Sequence, residues 1–129
     1  MSRSQNASHY GRLVEEFAAD RYAIRLDHRR VKGVHLDGVA ADGSPVDIKG
    51  AMSNRKSGPG RFRLWRDQHR VLEAQDGCYI FVRYAARQDG ISVQQTRAVD
   101  AQAVRVDWGG SGNHRRDSAQ AKVLARSVF

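Results

Sequence analysis

Two carboxylates and a lysine lie on a short predicted β-hairpin, the run HLDGVAADGSPVDIKG from His35 to Gly50. Asp37 is in the first arm, while Asp47 and Lys49 are in the second, among mostly apolar neighbours. The Asp42-Gly43 pair between the two arms is a strong turn signal. Because a plain hairpin needs none of these charges, their placement suggests chemistry.

The length of the turn decides whether the two aspartates share a face of the hairpin. A two-residue loop pairs Ala41 with Ser44 and puts the aspartates on opposite faces. A three-residue loop pairs Ala40 with Ser44, sets Asp37 opposite Asp47 and puts Lys49 on the same side. Gly43 supplies the left-handed residue that this longer turn requires. The three-residue form is therefore the prediction, although a bulge would shift the register by one residue.

The same register predicts an apolar side of the hairpin. Val34 and Leu36 on the first arm would face Val46 and Ile48 on the second. His35 would lie with the charged residues on the other side, opposite Lys49.

Opposed carboxylates repel each other by roughly 0.2–1 kcal/mol, so the pair needs a positive partner. Lys49 could offset this cost, and a divalent cation would do so better. Mg²⁺ suits aspartate oxygens and substrate phosphate, with Mn²⁺ as a substitute. Lys49 would then orient or deprotonate a metal-bound water, or stabilise a phosphorane-like transition state. The simpler alternative is a surface hairpin that carries a solvated ladder of aspartate and lysine.

The elements around the hairpin indicate an α/β fold. A helix is expected from Tyr10 to about Tyr22, since apolar residues recur there at spacings of three and four. Residues 1–9 are expected to be flexible, and residues 10–129 to form a single domain with a central mixed sheet flanked by helices. The further expectations are a turn near 32–33, a loop at 53–61, a short strand leading into a helix at 65–75, strands at 78–85 and 91–99, and a terminal helix at 117–129.

The net charge of +8 and the pI near 10.4 predict a polyanionic partner, DNA or RNA. The alternative is a solvated basic surface. Most of these cations are arginines, which bind phosphate in a bidentate manner. Arg115 and Arg116 precede the predicted terminal helix, whose N-terminus could itself receive phosphate. The candidate phosphate contacts are Arg12, Arg55, Lys56, Arg61, Arg63, Arg66, Arg115 and Arg116.

Several classes of protein are disfavoured. The longest apolar run is about five residues, CYIFV, far short of a membrane span. The N-terminus has no apolar stretch typical of a signal peptide, and the single Cys78 cannot form an intrachain disulfide. An intracellular protein, in the cytoplasm or at the nucleoid, is therefore expected. The histidines do not cluster with Cys78 along the chain, so no zinc site is predicted.

The order of these features resembles the PD-(D/E)XK nuclease superfamily and is most similar to its archaeal Holliday junction resolvase group. That group opens with a G-x-x-x-E helix, followed by an aspartate on a strand, a hairpin turn, (E/D)-x-K, and a helix that carries glutamine. The resemblance spans about residues 10–85. It departs from the family in having Leu36 instead of proline and Asp47 instead of the commoner glutamate. The matches are Gly11 to Glu15 in GRLVE, Asp37 in LDGVA, Asp47-Ile48-Lys49 in VDIKG and Gln68 in WRDQH.

The resemblance implies a restriction-endonuclease-like core and Mg²⁺-dependent hydrolysis of phosphodiester bonds. Asp37 and Asp47 would bind the metal with help from the Ile48 carbonyl, and Lys49 would position the nucleophilic water. Glu15 would reach the metal directly or through water, although the neighbouring Glu16 is an alternative. Gln68 would steady the site or contact phosphate, or else bond only to the backbone.

The predicted function is a DNA endonuclease acting as a homodimer on branched or duplex DNA, because a two-fold protein presents two equivalent sites. The apolar face of the predicted terminal helix, with Ala121, Leu124 and Val128, is a candidate dimer interface or part of the core. One alternative is a non-catalytic nucleic-acid-binding module. Another is the nuclease subunit of a restriction, repair or transposition assembly.

Overall fold

The computed structural model describes residues 3–108 and 120–129 of the chain. Two α-helices and seven β-strands follow in the order α1, β1–β4, α2, β5–β7. Short 3-10 turns occupy Ala101–Ala103 and Ala125–Ser127. The bounds are α1 Arg3–Tyr22, β1 Arg25–Val31, β2 Val34–Val39, β3 Pro45–Met52, β4 Arg61–Trp65, α2 Arg66–Ala74, β5 Cys78–Arg87, β6 Gly90–Asp100 and β7 Gln120–Leu124.

A five-stranded mixed sheet with the order β1-β2-β3-β5-β6 forms the centre of the fold. Only β3 and β5 run parallel, and the other neighbours are antiparallel. A parallel pair needs a long crossover, which the segment containing β4 and α2 provides. The predicted α/β class with a mixed sheet and flanking helices is confirmed.

The two faces of this sheet bury separate apolar clusters. On one face, Val14 and Ala18 of α1 pack with Val46 and Ile48 of β3. The cluster on the other face contains Val34, Leu36, Leu72 of α2, Tyr79 and Phe81. Each helix therefore covers one side of the sheet, and the functional side chains of β2 and β3 must emerge between these two layers.

The prediction that Val34, Leu36, Val46 and Ile48 share one apolar side of the hairpin is wrong. Val34 and Leu36 belong to the cluster beneath α2, whereas Val46 and Ile48 belong to the cluster beneath α1. The cause is the short pairing of β2 with β3, which is confined to Gly38 with Val46 and Val39 with Pro45. Beyond these pairs the strands separate, so a register rule for directly opposed residues no longer applies.

The ends of the chain also differ from the predictions. Helix α1 begins at Arg3 rather than Tyr10, and no proline or glycine interrupts residues 3–10. The predicted terminal helix is wrong, because β7 occupies Gln120–Leu124 and pairs antiparallel with β4. Ala121 is buried while Leu124 is exposed, as the two-residue period of a strand requires. The proposed apolar face of Ala121, Leu124 and Val128 therefore does not exist as a helix face.

Within the described parts of the chain, no helix combines the length and apolar character needed to span a bilayer.

Candidate active site

The hairpin turn sets the register of the two aspartates. The Ala40 amide donates to the Ser44 carbonyl at 2.9 Å, and the Gly43 amide donates to the Ala40 carbonyl at 2.9 Å. Gly43 has φ +87°, the left-handed conformation that glycine adopts without strain. The predicted three-residue loop is confirmed, and Asp42 reinforces it by accepting from the Ser44 amide at 2.9 Å.

Asp37 lies where the two strands begin to separate. Its Oδ2 accepts a hydrogen bond from the Ile48 amide at 2.8 Å, so the carboxylate takes the place of a backbone acceptor. The carboxyl groups of Asp47 and Glu15 lie close enough to that of Asp37 to shift its pKa. The structure therefore brings Asp37 and Asp47 together, as the sequence predicted.

Asp47 and Lys49 point towards α2. Asp47 is only 2% exposed, and its Oδ2 lies 2.8 Å from Lys49 Nζ. Lys49 Nζ also donates to Gln68 Oε1 at 3.2 Å. Gln68 Nε2 in turn donates to the His35 carbonyl at 2.7 Å, so the amide is fixed at both ends. The sequence left two roles open for Gln68, to steady the site or to bond only to the backbone. The structure shows Gln68 bonded both to Lys49 and to the backbone.

Helix α1 contributes Glu15 from the other side. The Glu15 side chain is 22% exposed, and its Oε1 lies 3.0 Å from His28 Nε2. Glu16, one residue later, is 59% exposed and forms a long surface pair with Arg12 at 3.9 Å. The geometry therefore selects Glu15 over Glu16 as the helix carboxylate that reaches the site.

The three carboxyl groups have perturbed protonation. Burial raises the pKa of Asp47 to about 7, with the nearby Asp37 raising it further and Lys49 opposing the shift. Burial likewise raises the pKa values of Asp37 and Glu15. In each case the charged form loses water without gaining full compensation. Raised carboxyl pKa values in a cleft are a common property of functional sites.

The donor set fits a divalent cation. Asp47 Oδ2 and Glu15 Oε1 are buried side-chain oxygens that lack a hydrogen-bond partner among the described residues. Each of the two oxygens instead faces one nitrogen, Lys49 Nζ at 2.8 Å for Asp47 and His28 Nε2 at 3.0 Å for Glu15, which leaves lone pairs on both carboxylates for a cation. Carboxylate oxygens are the ligands that Mg²⁺ and Mn²⁺ take in proteins.

A cleft of about 1080 Å³ opens beside these groups. Glu15, Asp37 and Ile48 line this cleft, and so do four basic residues that we call the basic rim. Asp47 and Lys49 lie behind this opening, towards α2. The residues of the rim are Arg55, Lys56, Arg61 and Arg63.

Two of the other predicted phosphate contacts are described by the structure and do not line this cleft. Arg12 and Arg66 are absent from the lining of this cleft, and Arg115 and Arg116 lie outside the described residues. Lys122 was not predicted, because its segment was expected to be a helix. The pairing of β7 with β4 places Lys122 opposite Arg63, and both line a smaller basic recess of about 280 Å³.

His28 was also missed by the sequence analysis. Its strand, β1, has an irregular register between Leu26 and Arg29, and His28 adopts a left-handed φ of +46°. A bulge of this kind re-aims a side chain, here towards Glu15 and Asp37. The run RLDHRRV has no hydrophobic period from which this orientation of His28 could have been predicted.

A comparison with protein families gives one result that bears on this geometry. The family model described as a PD-(D/E)XK nuclease superfamily domain matches residues 1–129. Comparisons with curated proteins and with solved structures gave no match.

Proposed function

The chain belongs to the PD-(D/E)XK nuclease superfamily, and from that membership we propose that it is a Mg²⁺-dependent endonuclease that hydrolyses phosphodiester bonds of DNA. The observation that carries the proposal is the convergence of Asp37, Asp47 and Lys49 beside a cleft with a basic rim. Carboxylates next to phosphate-binding cations would be unfavourable for binding alone. They become useful when a metal ion lies between them and the substrate.

Asp37 and Asp47 would hold the ion, with Glu15 and the Ile48 carbonyl as further ligands. When bound, the ion supplies the positive charge that polarises a phosphate and lowers the pKa of a water. The buried oxygens of Asp47 and Glu15, each with a single nitrogen partner, support this assignment. Mn²⁺ would serve as a substitute because it accepts the same oxygen ligands.

Lys49 is the cation best placed to act on the reacting groups. Asp47 and Gln68 hold its Nζ from two sides, at 2.8 and 3.2 Å, which limits its rotamers. A fixed ammonium group would orient the attacking water or stabilise charge on a non-bridging phosphate oxygen. Gln68 is accordingly a positioning residue, since it acts on the substrate through Lys49.

The basic rim would bind the DNA backbone. Arg55, Lys56, Arg61 and Arg63 line the same cleft as Glu15 and Asp37, so a strand bound there would meet both the cations and the carboxylates. Phosphate contacts of this kind position nucleic acid without reading its sequence. The net charge of +8 would add long-range attraction for DNA.

For the substrate and the assembly, we propose branched DNA cut by a homodimer, with the protein acting at the nucleoid. The support is the order of motifs shared with archaeal Holliday junction resolvases, and the symmetry argument that paired incisions need two equivalent sites. Because Gln120–Leu124 form the strand β7, the apolar helix face predicted as a candidate dimer interface is not formed.

The test is a cleavage assay on supercoiled plasmid, linear duplex and a synthetic four-way junction, each with Mg²⁺, Mn²⁺ or EDTA. Wild-type protein should cleave only with a divalent ion, and Asp47→Ala should bind DNA without cleaving it. Symmetric incisions confined to the junction would support the resolvase assignment. Failure to cleave any substrate would favour a nucleic-acid-binding module, and equal cleavage by the variant would refute the site.

A further inference from the structure

Two histidines lie beside Asp37, which lines the cleft, and form a compact group with it. Among the described residues, His28, His35 and Asp37 form a group of three side chains whose ligand atoms all lie within 4.8 Å of one another. The pairs are His28 Nδ1 with His35 Nε2 at 3.4 Å, His35 Nε2 with Asp37 Oδ1 at 3.4 Å, and His28 Nδ1 with Asp37 Oδ1 at 3.7 Å.

These separations match the size of a transition-metal site. A point equidistant from the three atoms lies about 2.0 Å from each, close to the roughly 2.0–2.1 Å of a zinc–imidazole bond. The atoms form one triangular face, so further positions would stay open to water or substrate. Two imidazoles with one carboxylate are a donor set typical of Zn²⁺ and its neighbours, whereas Mg²⁺ prefers oxygen ligands alone.

The second nitrogen of His28 has the partner that a ligating histidine usually requires. His28 Nε2 lies 3.0 Å from Glu15 Oε1, which leaves Nδ1 free to face His35 and Asp37. A carboxylate on the far nitrogen fixes the tautomer and orientation of a metal-bound imidazole. Glu15 Oε1 is a buried oxygen with no hydrogen-bond partner among the described residues, so this ion pair is its main compensation.

The fold holds both rings in place. The bulge in β1 turns His28 inwards, and its ring stacks on His35 with centroids 5.4 Å apart and planes inclined by 26°. The His35 carbonyl is itself tied to Gln68, which anchors this part of β2. Asp37 uses Oδ1 towards the histidines and Oδ2 towards the Ile48 amide, so one carboxylate joins the two regions.

We propose that His28, His35 and Asp37 bind a transition-metal dication of the Zn²⁺, Co²⁺ or Mn²⁺ type, with Glu15 orienting His28. This site adjoins the Asp37–Asp47 carboxylate pair and shares Asp37 with it. Binding of the ion stands independently of cleavage. Its consequence for catalysis, a preference for transition metals over Mg²⁺, rests on the proposed nuclease function.

Metal binding by the full chain, free of any affinity tag and stripped with chelator, tests the proposal. Co²⁺ is titrated while its visible absorption is recorded, and Zn²⁺ is then added in competition. His35→Phe keeps the ring stacking but removes the ligand, and His28→Asn keeps a residue that tolerates the left-handed backbone. Each variant should lower the Zn²⁺ affinity by about tenfold or more, the scale on which even outer partners of a metal ligand act.

His9→Ala removes an exposed histidine on α1 outside the cluster and should leave Zn²⁺ affinity as in the wild type. Thermal unfolding confirms that each variant is folded, and either histidine variant alone suffices for the comparison. Equal affinity for Zn²⁺ in the wild type and both cluster variants would overturn the proposal. So would an equal loss in His9→Ala, because it would indicate non-specific binding.

Asp47→Asn separates this inference from the proposed function. That variant should lose cleavage while its Zn²⁺ titration still depends on His28 and His35. A wild type that binds Zn²⁺ through these histidines but cleaves no DNA would retain the metal site and refute the nuclease.

Discussion

Replacing Asp47 by asparagine should abolish a pH dependence of stability in the metal-free protein. The pKa of Asp47 is about 7 in the folded chain against an ordinary value of 3.8, chiefly because of burial. A carboxyl group with a raised pKa binds its proton more tightly when folded. Its contribution to stability is therefore complete at low pH and is lost as the pH rises from about 4 to about 7.

The size of this effect follows from the shift. Each pH unit between the two pKa values costs about 1.4 kcal/mol of unfolding free energy. Between pH 5 and pH 7 the wild type should therefore lose about 2 kcal/mol through this one group. Asparagine resembles the protonated acid in size and charge, so Asp47→Asn should not lose this unfolding free energy. Its unfolding free energy relative to the wild type should therefore rise by the same amount between pH 5 and pH 7.

Urea unfolding followed by circular dichroism at pH 5, 6 and 7, with EDTA present, measures this difference. Asp89→Asn, the same change on an exposed turn, should follow the wild type. Asp37 and Glu15 remain in both proteins, so the part of their pKa shifts that comes from burial, the largest cause in each, cancels in the comparison. Parallel curves for the wild type and Asp47→Asn would refute the claim that burial raises the pKa of Asp47 in the folded chain.

Three further predictions concern the lysine clamp, the basic rim and the packing of the strands. Gln68→Ala removes one of the two groups that hold Lys49, so the cleavage rate should fall. DNA affinity, measured by fluorescence anisotropy, should stay constant. A loss of DNA affinity as large as the loss of rate would make Gln68 a binding residue instead. Arg61→Ala and Arg63→Ala should each weaken DNA binding and reduce the slope of log affinity against log salt by about 1. Arg12→Ala, outside the cleft, should change that slope less, and equal effects at all three positions would contradict the location of the rim. Gly38→Ala would press a Cβ onto the Arg25 carbonyl and should destabilise the fold by about 1–3 kcal/mol in urea unfolding. A Cβ added at Gly11 has no heavy atom within 4 Å, so Gly11→Ala should instead stabilise α1 by up to about 1 kcal/mol. A Gly38→Ala variant more stable than Gly11→Ala would refute this packing.

The heart of the site was predictable because it depends on local chemistry. A three-residue turn fixes the register of β2 against β3, and Gly43 signals that turn in the sequence. The helical spacing around Glu15 and the apolar period around Gln68 similarly pointed each side chain towards the sheet. These features are set by residues close together in the chain, so a single sequence carries them.

The remainder depends on long-range pairing. Strand β7 forms because Ala121 and Val123 pair with Leu64 and Phe62 of β4, far earlier in the chain. Its apolar residues also fit a helical spacing, and nothing local separates the two interpretations. His28 faces Glu15 and Asp37 because of an irregularity in β1, which is a property of the β1–β2 pairing rather than of residues 25–31 alone.

The central claim is that Lys49, held beside Asp47, acts in phosphodiester hydrolysis. The most direct measurement is the single-turnover rate of DNA cleavage in Mg²⁺ by the wild type and Lys49→Met, at protein concentrations that saturate the DNA. Lys32→Met, on the exposed turn between β1 and β2, serves as the matched control. We expect Lys49→Met to cleave about 100-fold more slowly or worse while binding DNA normally, with Lys32→Met unchanged. Cleavage by Lys49→Met at the wild-type rate would contradict this account.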